Sequence, residues 1–440
     1  MPHSILILGA GRSSSSLISY LIDHHKSLDL LITIGDVSLL SAQEKAGAFA
    51  KAIQFDISDK QVSREIIRNN DIVISLLPAA LHPQVAELCI ELKRHLLTAS
   101  YVSEKMKGMD EKAKELDLLF LNECGLDPGL DHMTAMELID DIKQKGGIIE
   151  SFESFTGGLI APTTDIENPW RYKFTWNPRN VVVAGQGTAK FLQNRKQKYI
   201  PYQQLFKRTT SITLPNLGDF EGYANRDSLN YMELYGLQSV NTMIRGTLRN
   251  KGYCAAWDIF VQLGCTDDTY ELTGLQKMTH QDFIELFLHE DDKINIAKKL
   301  LSTLHLDAAS NQLRCLEWSG FFSDELIGLE KGTPAQILEH ILNKKWKLSE
   351  GDKDRVVMWH RFTYTLDEKT HEIQASMSVI GDDSVQTAMA KTVGLPLAIA
   401  AKLLIQRTLK NRGVVIPTSK EIYEPILKEL SKLGIELKHH

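Results

Sequence analysis

A glycine turn, Gly9-Ala-Gly11-Arg12-Ser13-Ser14, lies between an apolar run and a helical pattern, and its residue types suit the pyrophosphate of a dinucleotide. Gly9 permits a tight turn. Gly11 lets the backbone approach the phosphates at the positive end of the following helix. Ser14 stands where the usual fingerprint has a third glycine or alanine, which weakens the motif. A strand–helix turn with no ligand is therefore the competing reading. The context favours the nucleotide: the strand Ile5-Leu-Ile-Leu8 precedes the turn, and Asp36 ends the next apolar run, Leu31-Ile-Thr-Ile-Gly35. Asp36 is expected to accept hydrogen bonds from the adenosine ribose and to repel a 2′-phosphate, which favours NAD over NADP. Arg12 suits the pyrophosphate but can also reach a 2′-phosphate, so NADP is the alternative. Asp56 and Ile57, at the end of the third strand, are candidate cofactor contacts; Asp56 either bonds the adenine amine or caps the next helix.

Four further segments carry groups for proton transfer or carboxylate binding. They are Thr98-Ala-Ser-Tyr101, Gly125-Leu-Asp-Pro-Gly-Leu-Asp-His132, Asn225-Arg-Asp-Ser228 and Arg245-Gly-Thr-Leu-Arg249. The first two follow strands of the expected parallel sheet, where ligands of such sheets bind. Each has a plain structural reading as well. Asp127-Pro-Gly129 is a turn with proline and glycine in favoured places, and Arg226 and Arg249 can be solvated surface charges. His132 lies just past that turn on a helix, where a histidine is more often structural than catalytic.

The elements that must position these residues follow from hydrophobic periodicity. Apolar runs at Ile5–Leu8, Leu30–Ile34, Ile53–Phe55, Asp71–Leu76, His95–Thr98 and Leu118–Asn122 alternate with helical patterns such as Ser15–His25, Ser38–Phe49 and His82–Arg94. That alternation predicts an α/β fold: a Rossmann-type parallel sheet over residues 1–124, completed by about 385–440. Residues 125–235 and about 345–384 are expected to form an inserted α/β substrate and dimerisation domain, with Ile148–Thr156 as a strand. Tandem helical patterns over 236–344 predict a helical subdomain, and Arg355–Leu366 with His371–Ile380 reads as a hairpin. The chain then closes on a helix at Val385–Gln406, a short strand and a helix at Ile422–Leu433.

With 440 residues and a net charge of −6, the chain is too long for one ordinary core and too acidic for nucleic-acid binding held mainly by charge. Five cysteines without ligand or CxxC spacing argue against a disulfide framework or a metal site and suit a reducing cytoplasm. No secretory signal is read at the N-terminus. The apolar helix over Val393–Ile405 is interrupted by Lys402, is too short to span a bilayer and reads as a core helix.

Taken together, Gly-Leu-Asp-Pro-Gly-Leu-Asp-His, Asn-Arg-Asp-Ser and Arg-Gly-Thr-Leu-Arg, in that order, resemble the saccharopine dehydrogenase family in its glutamate-forming branch. Ile74-Ser-Leu-Leu-Pro78, Gly157-Gly158, Asn168-Pro169, Tyr172-Lys-Phe174 and Thr387-Ala-Met-Ala-Lys-Thr-Val-Gly394 extend the resemblance over nearly the whole chain. The resemblance implies a cytoplasmic oxidoreductase of lysine metabolism, a homodimer, that oxidises saccharopine to L-glutamate and 2-aminoadipate 6-semialdehyde. It places Ser100, Tyr101, Asp127, Arg226, Thr247, Leu248 and Arg249 around saccharopine. It places Leu77, Leu126, Asp127, Pro128 and Asn177 near the cofactor. Asp127 and Tyr101 are the expected acid–base and positioning pair, and the arginines suit a substrate rich in carboxylates. Thr156 stands where relatives usually have cysteine, Leu159-Ile160 replaces the usual Leu-Pro, and Asp36 lies where NADP-dependent relatives carry an arginine. Two rival readings are another imine-reducing relative, such as a carboxynorspermidine dehydrogenase, and a catalytically silent nucleotide-binding protein.

Overall fold

In the computed structural model, which describes residues 2–289 and 295–440, the chain divides into two units, 1–148 with 385–438 and 149–384 with 439–440. Met1 and residues 290–294, the latter inside the expected helical stretch, lie outside the described residues.

The first unit is built on strands β1 (His3–Leu8), β2 (Leu30–Asp36), β3 (Lys51–Gln54), β4 (Ile72–Ser75), β5 (His95–Thr98) and β6 (Leu119–Leu121). The late strand Gly413–Val415 joins them, giving the parallel order Gly413–Val415, β6, β5, β4, β1, β2, β3. Ile5, Leu6, Ile7 and Leu8 are all fully buried, as expected of a strand covered by helices on both faces. Chain order reverses between β1 and β4, which opens a crevice beyond the carboxyl ends of those strands.

This unit runs on to Ile148 rather than stopping at 124. The cause is the helix Leu130–Gln144, which packs on the helix Lys420–Lys432, with the Tyr423 hydroxyl donating to Asp140 Oδ2 at 2.5 Å. The apolar helix spans Ala388–Ile405, and its 18 residues are long and apolar enough to cross a membrane by length and composition, contrary to the shorter expectation. In the unit it is 72% buried, and it packs against the helix Ser15–His24. The approach is close: a Cβ on Gly394 would lie 2.9 Å from the Leu17 nitrogen and 3.1 Å from the Ser13 oxygen. The glycine that permits tight packing beside the turn therefore sits on the neighbouring helix, and Ser14 is accommodated.

The second unit contains β7 (Ile148–Ile160), β8 (Ala189–Gln193), β9 (Lys196–Ile200), β10 (Thr210–Leu214), β11 (Gly218–Ala224) and β12 (Thr242–Asn250). A short pair, β13 (Leu272–Thr273) and β14 (Lys331–Gly332), is followed by the long hairpin β15 (Asp354–Leu366) and β16 (Lys369–Ile380). The main sheet runs β10, β11, β12, β7, β15, β16, and β8 pairs with β12 and β9. Residues 242–250 were expected to be helical and are a strand. Their two arginines alternate with apolar and small residues at a period of two, a pattern too short to stand out between helical windows. The helices Tyr253–Leu263, Asn311–Trp318 and Pro334–Trp346 close on the buried rings of Trp170, Trp257 and Trp346 and belong to the same unit as the sheet, not to a separate subdomain.

Candidate functional site

In the first unit every singled-out residue lies at or beyond the carboxyl end of a strand. Gly9 follows β1 with φ +105°, and a Cβ there would sit 3.1 Å from the Leu76 carbonyl oxygen. The turn therefore needs glycine at that position for its backbone. Gly11 differs: its φ is −70°, and a Cβ would meet nothing within 4 Å. What glycine provides there is open space above the backbone. The helical turn Arg12–Ser14 and the helix Ser15–His24 begin without a side-chain cap, and Ser14 is buried with its hydroxyl on the Gly11 carbonyl at 2.8 Å. An uncapped helix start beneath an unobstructed backbone fits a pyrophosphate. Asp36, at the end of β2, accepts from the Ala10 amide at 2.7 Å and the Ser38 amide at 2.9 Å, which ties the turn to the second strand.

Asp56 is exposed and accepts from the Ser58 amide at 2.9 Å; that bond, helped by the Ser58 side chain, lowers its carboxyl pKa. It does not cap the next helix, because Asp59 does, accepting from Val62 at 3.1 Å. Ile57 points into the core of the unit, and Leu77 is half-buried just past β4.

The segments after β5 and β6 meet. The Tyr101 hydroxyl donates to Asp127 Oδ1 at 3.2 Å, and both residues are half-buried. The Glu123 amide donates to the Ser100 carbonyl at 3.1 Å, and the Cys124 amide to the Thr98 carbonyl at 3.2 Å. The loop carrying Asp127 is folded on itself, with Gly125 donating to Pro128 at 3.0 Å and Leu130 donating to Gly125 at 2.8 Å. It admits no side chain at Gly129, where φ is +147° and a Cβ would fall 2.1 Å from the Gly125 oxygen. Leu126 and Pro128 are buried, and Asp127 is the more exposed residue of this loop. Buried Glu123 braces it from below, accepting from the Val102 amide at 3.0 Å and pairing with His132 Nε2 at 2.9 Å. His132 is wholly buried, in keeping with the structural reading of that residue.

In the second unit the two arginine motifs are joined. Asn225 donates to the Thr247 hydroxyl at 3.1 Å, the Arg245 amide donates to the Ser228 hydroxyl at 2.9 Å, and the Asn225 amide donates to the Arg245 carbonyl at 3.0 Å. Along β12, Arg245, Thr247 and Arg249 share one face, because alternate strand residues point the same way. Leu248 faces the other side and is buried in the cluster of Phe155, Ile212 and Val357, so its side chain does not join theirs. Thr156 of β7 is the register partner of Thr247, and Tyr223 of β11 is its partner on the other side.

Arg249 is 5% exposed, and its guanidinium carbon lies 5.1 Å from the Tyr172 ring centre and 5.3 Å from that of Tyr253. Its Nη1 donates to the Leu248 carbonyl at 3.0 Å, its Nε is buried without a hydrogen-bond partner, and no ion pair to it occurs among the described residues. A guanidinium stays charged, and burying it without an anion is costly, so this arrangement suits an incoming carboxylate. Arg226, by contrast, is exposed and held at φ +49°. Asn177 is exposed, and its side chain accepts from the Asn180 amide at 3.1 Å as the cap of a short helix.

Sequence reasoning missed His82, Glu123 and the tyrosines around Arg249. For Glu123 a signal existed, an acidic residue two positions before Gly125. Tyr172, quoted above only within a family motif, lies far along the chain from Arg249, whereas Tyr253 is four residues past Arg249 and His82 seven past Ser75; nothing in their spacing marks these contacts.

Two family models match: "Saccharopine dehydrogenase NADP binding domain" over residues 5–120 and "Saccharopine dehydrogenase C-terminal domain" over 125–435. The mitochondrial alpha-aminoadipic semialdehyde synthase of Rattus norvegicus is 35% identical, the match covering 98% of this chain and 47% of that one. The chain thus spans about half the length of that curated relative. The Saccharomyces cerevisiae saccharopine dehydrogenase [NADP(+), L-glutamate-forming] is 32% identical, with 100% of this chain and 99% of that one covered. The solved apo structure of the S. cerevisiae L-Glu-forming saccharopine dehydrogenase aligns with a TM-score of 0.90 at 30% identity, over 100% of this chain and 99% of that one. Both the family model and the yeast relative carry NADP in their names, so the expected preference for NAD finds no support in them.

Proposed function

The chain belongs to the saccharopine dehydrogenase family, and from that premise we propose that it oxidises saccharopine with NAD(P) and water to L-glutamate and 2-aminoadipate 6-semialdehyde. The observation that carries the reading is the Tyr101–Asp127 pair, a hydroxyl and a carboxylate 3.2 Å apart beyond the strands of a dinucleotide-type sheet. When bound, the nicotinamide supplies the acceptor for the hydride that leaves the carbon beside the secondary amine of saccharopine. That amine must first be neutral, and Asp127 is the group that takes up its proton. Water then adds to the resulting imine carbon with loss of one proton. The nitrogen regains a proton, the hydroxyl gives one up as its oxygen becomes the carbonyl, the C–N bond breaks, and the amine of glutamate and the aldehyde are released. Tyr101 holds Asp127 in place and relays protons at its hydroxyl oxygen. Arg249 contributes a desolvated guanidinium for a substrate carboxylate, and Arg226 a second, more exposed one.

Within this reading NAD is the preferred cofactor, although the yeast relative is named for NADP(+). The support is Asp36: a 2′-phosphate beside its carboxylate would place like charges together, whereas ribose hydroxyls would donate to it. A cytoplasmic homodimer is part of the same proposal, tested by fractionation and by solution mass.

Absorbance of the reduced nicotinamide, followed with saccharopine and each dinucleotide, tests both statements. Turnover of saccharopine is expected, faster with NAD. Turnover of carboxynorspermidine in its place would overturn the substrate, and absence of any turnover would overturn the reaction. For Asp36→Arg, the NADP-to-NAD ratio of kcat/KM is expected to rise about 10-fold or more, and an unchanged ratio would remove Asp36 from the argument.

A further inference from the structure

One buried hydrogen-bonded line in the first unit is used by nothing described so far. His82, 3% exposed at the start of the helix His82–Leu92, is wedged between β4 and the segment after β5. Its Nδ1 lies 2.9 Å from the hydroxyl of Ser75, the last residue of β4. Its Nε2 lies 2.8 Å from the Ser100 hydroxyl and 3.2 Å from that of Thr98. Ser75 is wholly buried, whereas Ser100 is half-buried, so the line is closed at one end and open at the other. The Ser100 backbone is fixed as well, its carbonyl accepting from Glu123 and its amide donating to the Thr98 hydroxyl at 3.3 Å.

The direction of this line matters for chemistry. A neutral imidazole has one N–H, so one ring nitrogen donates and the other accepts. Burial lowers the His82 pKa to about 4, which keeps the ring neutral near pH 7. The Ser75 hydroxyl has no other hydrogen-bond partner among the described residues, so it can donate to Nδ1 or accept from it. If Nδ1 carries the proton, Nε2 is an acceptor that draws the nearer Ser100 hydroxyl, at 2.8 Å against 3.2 Å for Thr98, and Ser100 so engaged offers only lone pairs outward, which repel a carboxylate. If Nε2 carries it, Ser100 accepts from the ring and its own O–H is left to donate outward. Successive bonds pointing one way polarise one another.

We propose that His82 is a positioning residue that, as the Nε2–H tautomer, orients the Ser100 hydroxyl as a donor to an anionic group of the substrate. The inference rests on the family reading that Ser100 faces saccharopine. The relay then runs Ser75 O–H to Nδ1, Nε2–H to Ser100 Oγ, and Ser100 O–H to a substrate carboxylate oxygen. His82 touches no substrate and exchanges no proton with it.

Two measurements on the full-length protein test this. In protein labelled with ¹⁵N at histidine, the His82 ring nitrogens should report the Nε2–H tautomer; Nδ1–H would overturn the relay whatever the substrate proves to be. In kinetics, His82→Ala and Ser100→Ala should each raise the KM for saccharopine roughly 10-fold, the worth of one lost hydrogen bond to a charged group. KM for the dinucleotide and kcat should change by less than about 3-fold. The double variant should be no worse than either single one, because His82 acts through Ser100. His82→Gln, whose amide can donate in place of Nε2, should recover most of the loss and guards against a folding defect in His82→Ala. Additive effects of the two alanine variants would overturn the relay. An unchanged KM in Ser100→Ala would instead overturn the placement of Ser100 beside the substrate, and the proposal with it.

Discussion

The candidate anion sites of the two units are built in opposite ways. The first relies on backbone amides at an uncapped helix start, reached through an open glycine, with groups carried on loops after strand ends. The second places a guanidinium in the middle of a strand, shut in by tyrosine rings and without an ion-pair partner among the described residues. Backbone amides cost little to leave facing solvent, since water satisfies them, and they are not strained by waiting. A buried unpaired cation carries its desolvation penalty until an anion arrives. On the proposed reading the pyrophosphate site of the first unit therefore waits at little cost, whereas the carboxylate site of the second is a local instability that its ligand relieves.

The sharpest way to break this comparison is to remove the cation. Arg249→Met should lower kcat/KM for saccharopine by about 100-fold, equivalent to roughly 3 kcal/mol for a lost charged hydrogen bond. Its melting temperature should stay level or rise, because relief of desolvation outweighs cation–π contacts worth about 2 kcal/mol. A clear fall in melting temperature would make Arg249 a structural residue instead. Arg226→Ala, at an exposed position, should raise the saccharopine KM by only about 10-fold and leave that for the dinucleotide unchanged.

Glycines sharpen the contrast within the first unit. Gly129→Ala should cost about 3 kcal/mol or more in urea unfolding, because its Cβ would fall on the Gly125 backbone at a left-handed φ. Gly11→Ala should change stability by less than about 0.5 kcal/mol yet raise the dinucleotide KM about 10-fold. Equal stability losses would show that both glycines serve the backbone alone.

The smallest effect concerns an ion pair away from either site. Glu429 accepts from Lys402 at 2.8 Å and from the Tyr20 hydroxyl at 3.0 Å, and the Lys402 bond chiefly holds its carboxyl down to about 2. A depressed carboxyl contributes stability above its unfolded value near 4.5, and the contribution is lost as pH falls from there toward 2. Solvent screening of this partly exposed pair reduces the gain to ~1 kcal/mol. Glu429→Gln should therefore cost that much at pH 7 in denaturant titration, with the difference shrinking below pH 4. A difference that persists undiminished at pH 3 would assign the effect to packing.

Much of the first unit was legible beforehand because its strands are buried on both faces and read as unbroken apolar runs, and because nucleotide turns recur as contiguous residues. Ser14 looked like a defect in that turn until Gly394, 380 positions away, was seen to provide the close approach. The competing role of Asp56 was decided by Asp59, which lies three residues on and takes the helix cap itself. In the second unit, β12 was misread as helix, since a nine-residue strand flanked by helices offers few turns of evidence.

The sequence by itself determined the parallel sheet, the dinucleotide turn and the family, since each depends on residue types at short fixed spacings or on ordered motifs. Only the tertiary structure decided which charges are buried and which pairs of distant residues touch. Arg226 and Arg249 look alike as letters, yet one is exposed and the other sealed between Tyr172 and Tyr253. The reason is physical: solvation and hydrogen-bond direction depend on neighbours brought together through space. Neither Arg249 among its tyrosines nor His82 between Ser75 and Ser100 has those neighbours adjacent in the chain.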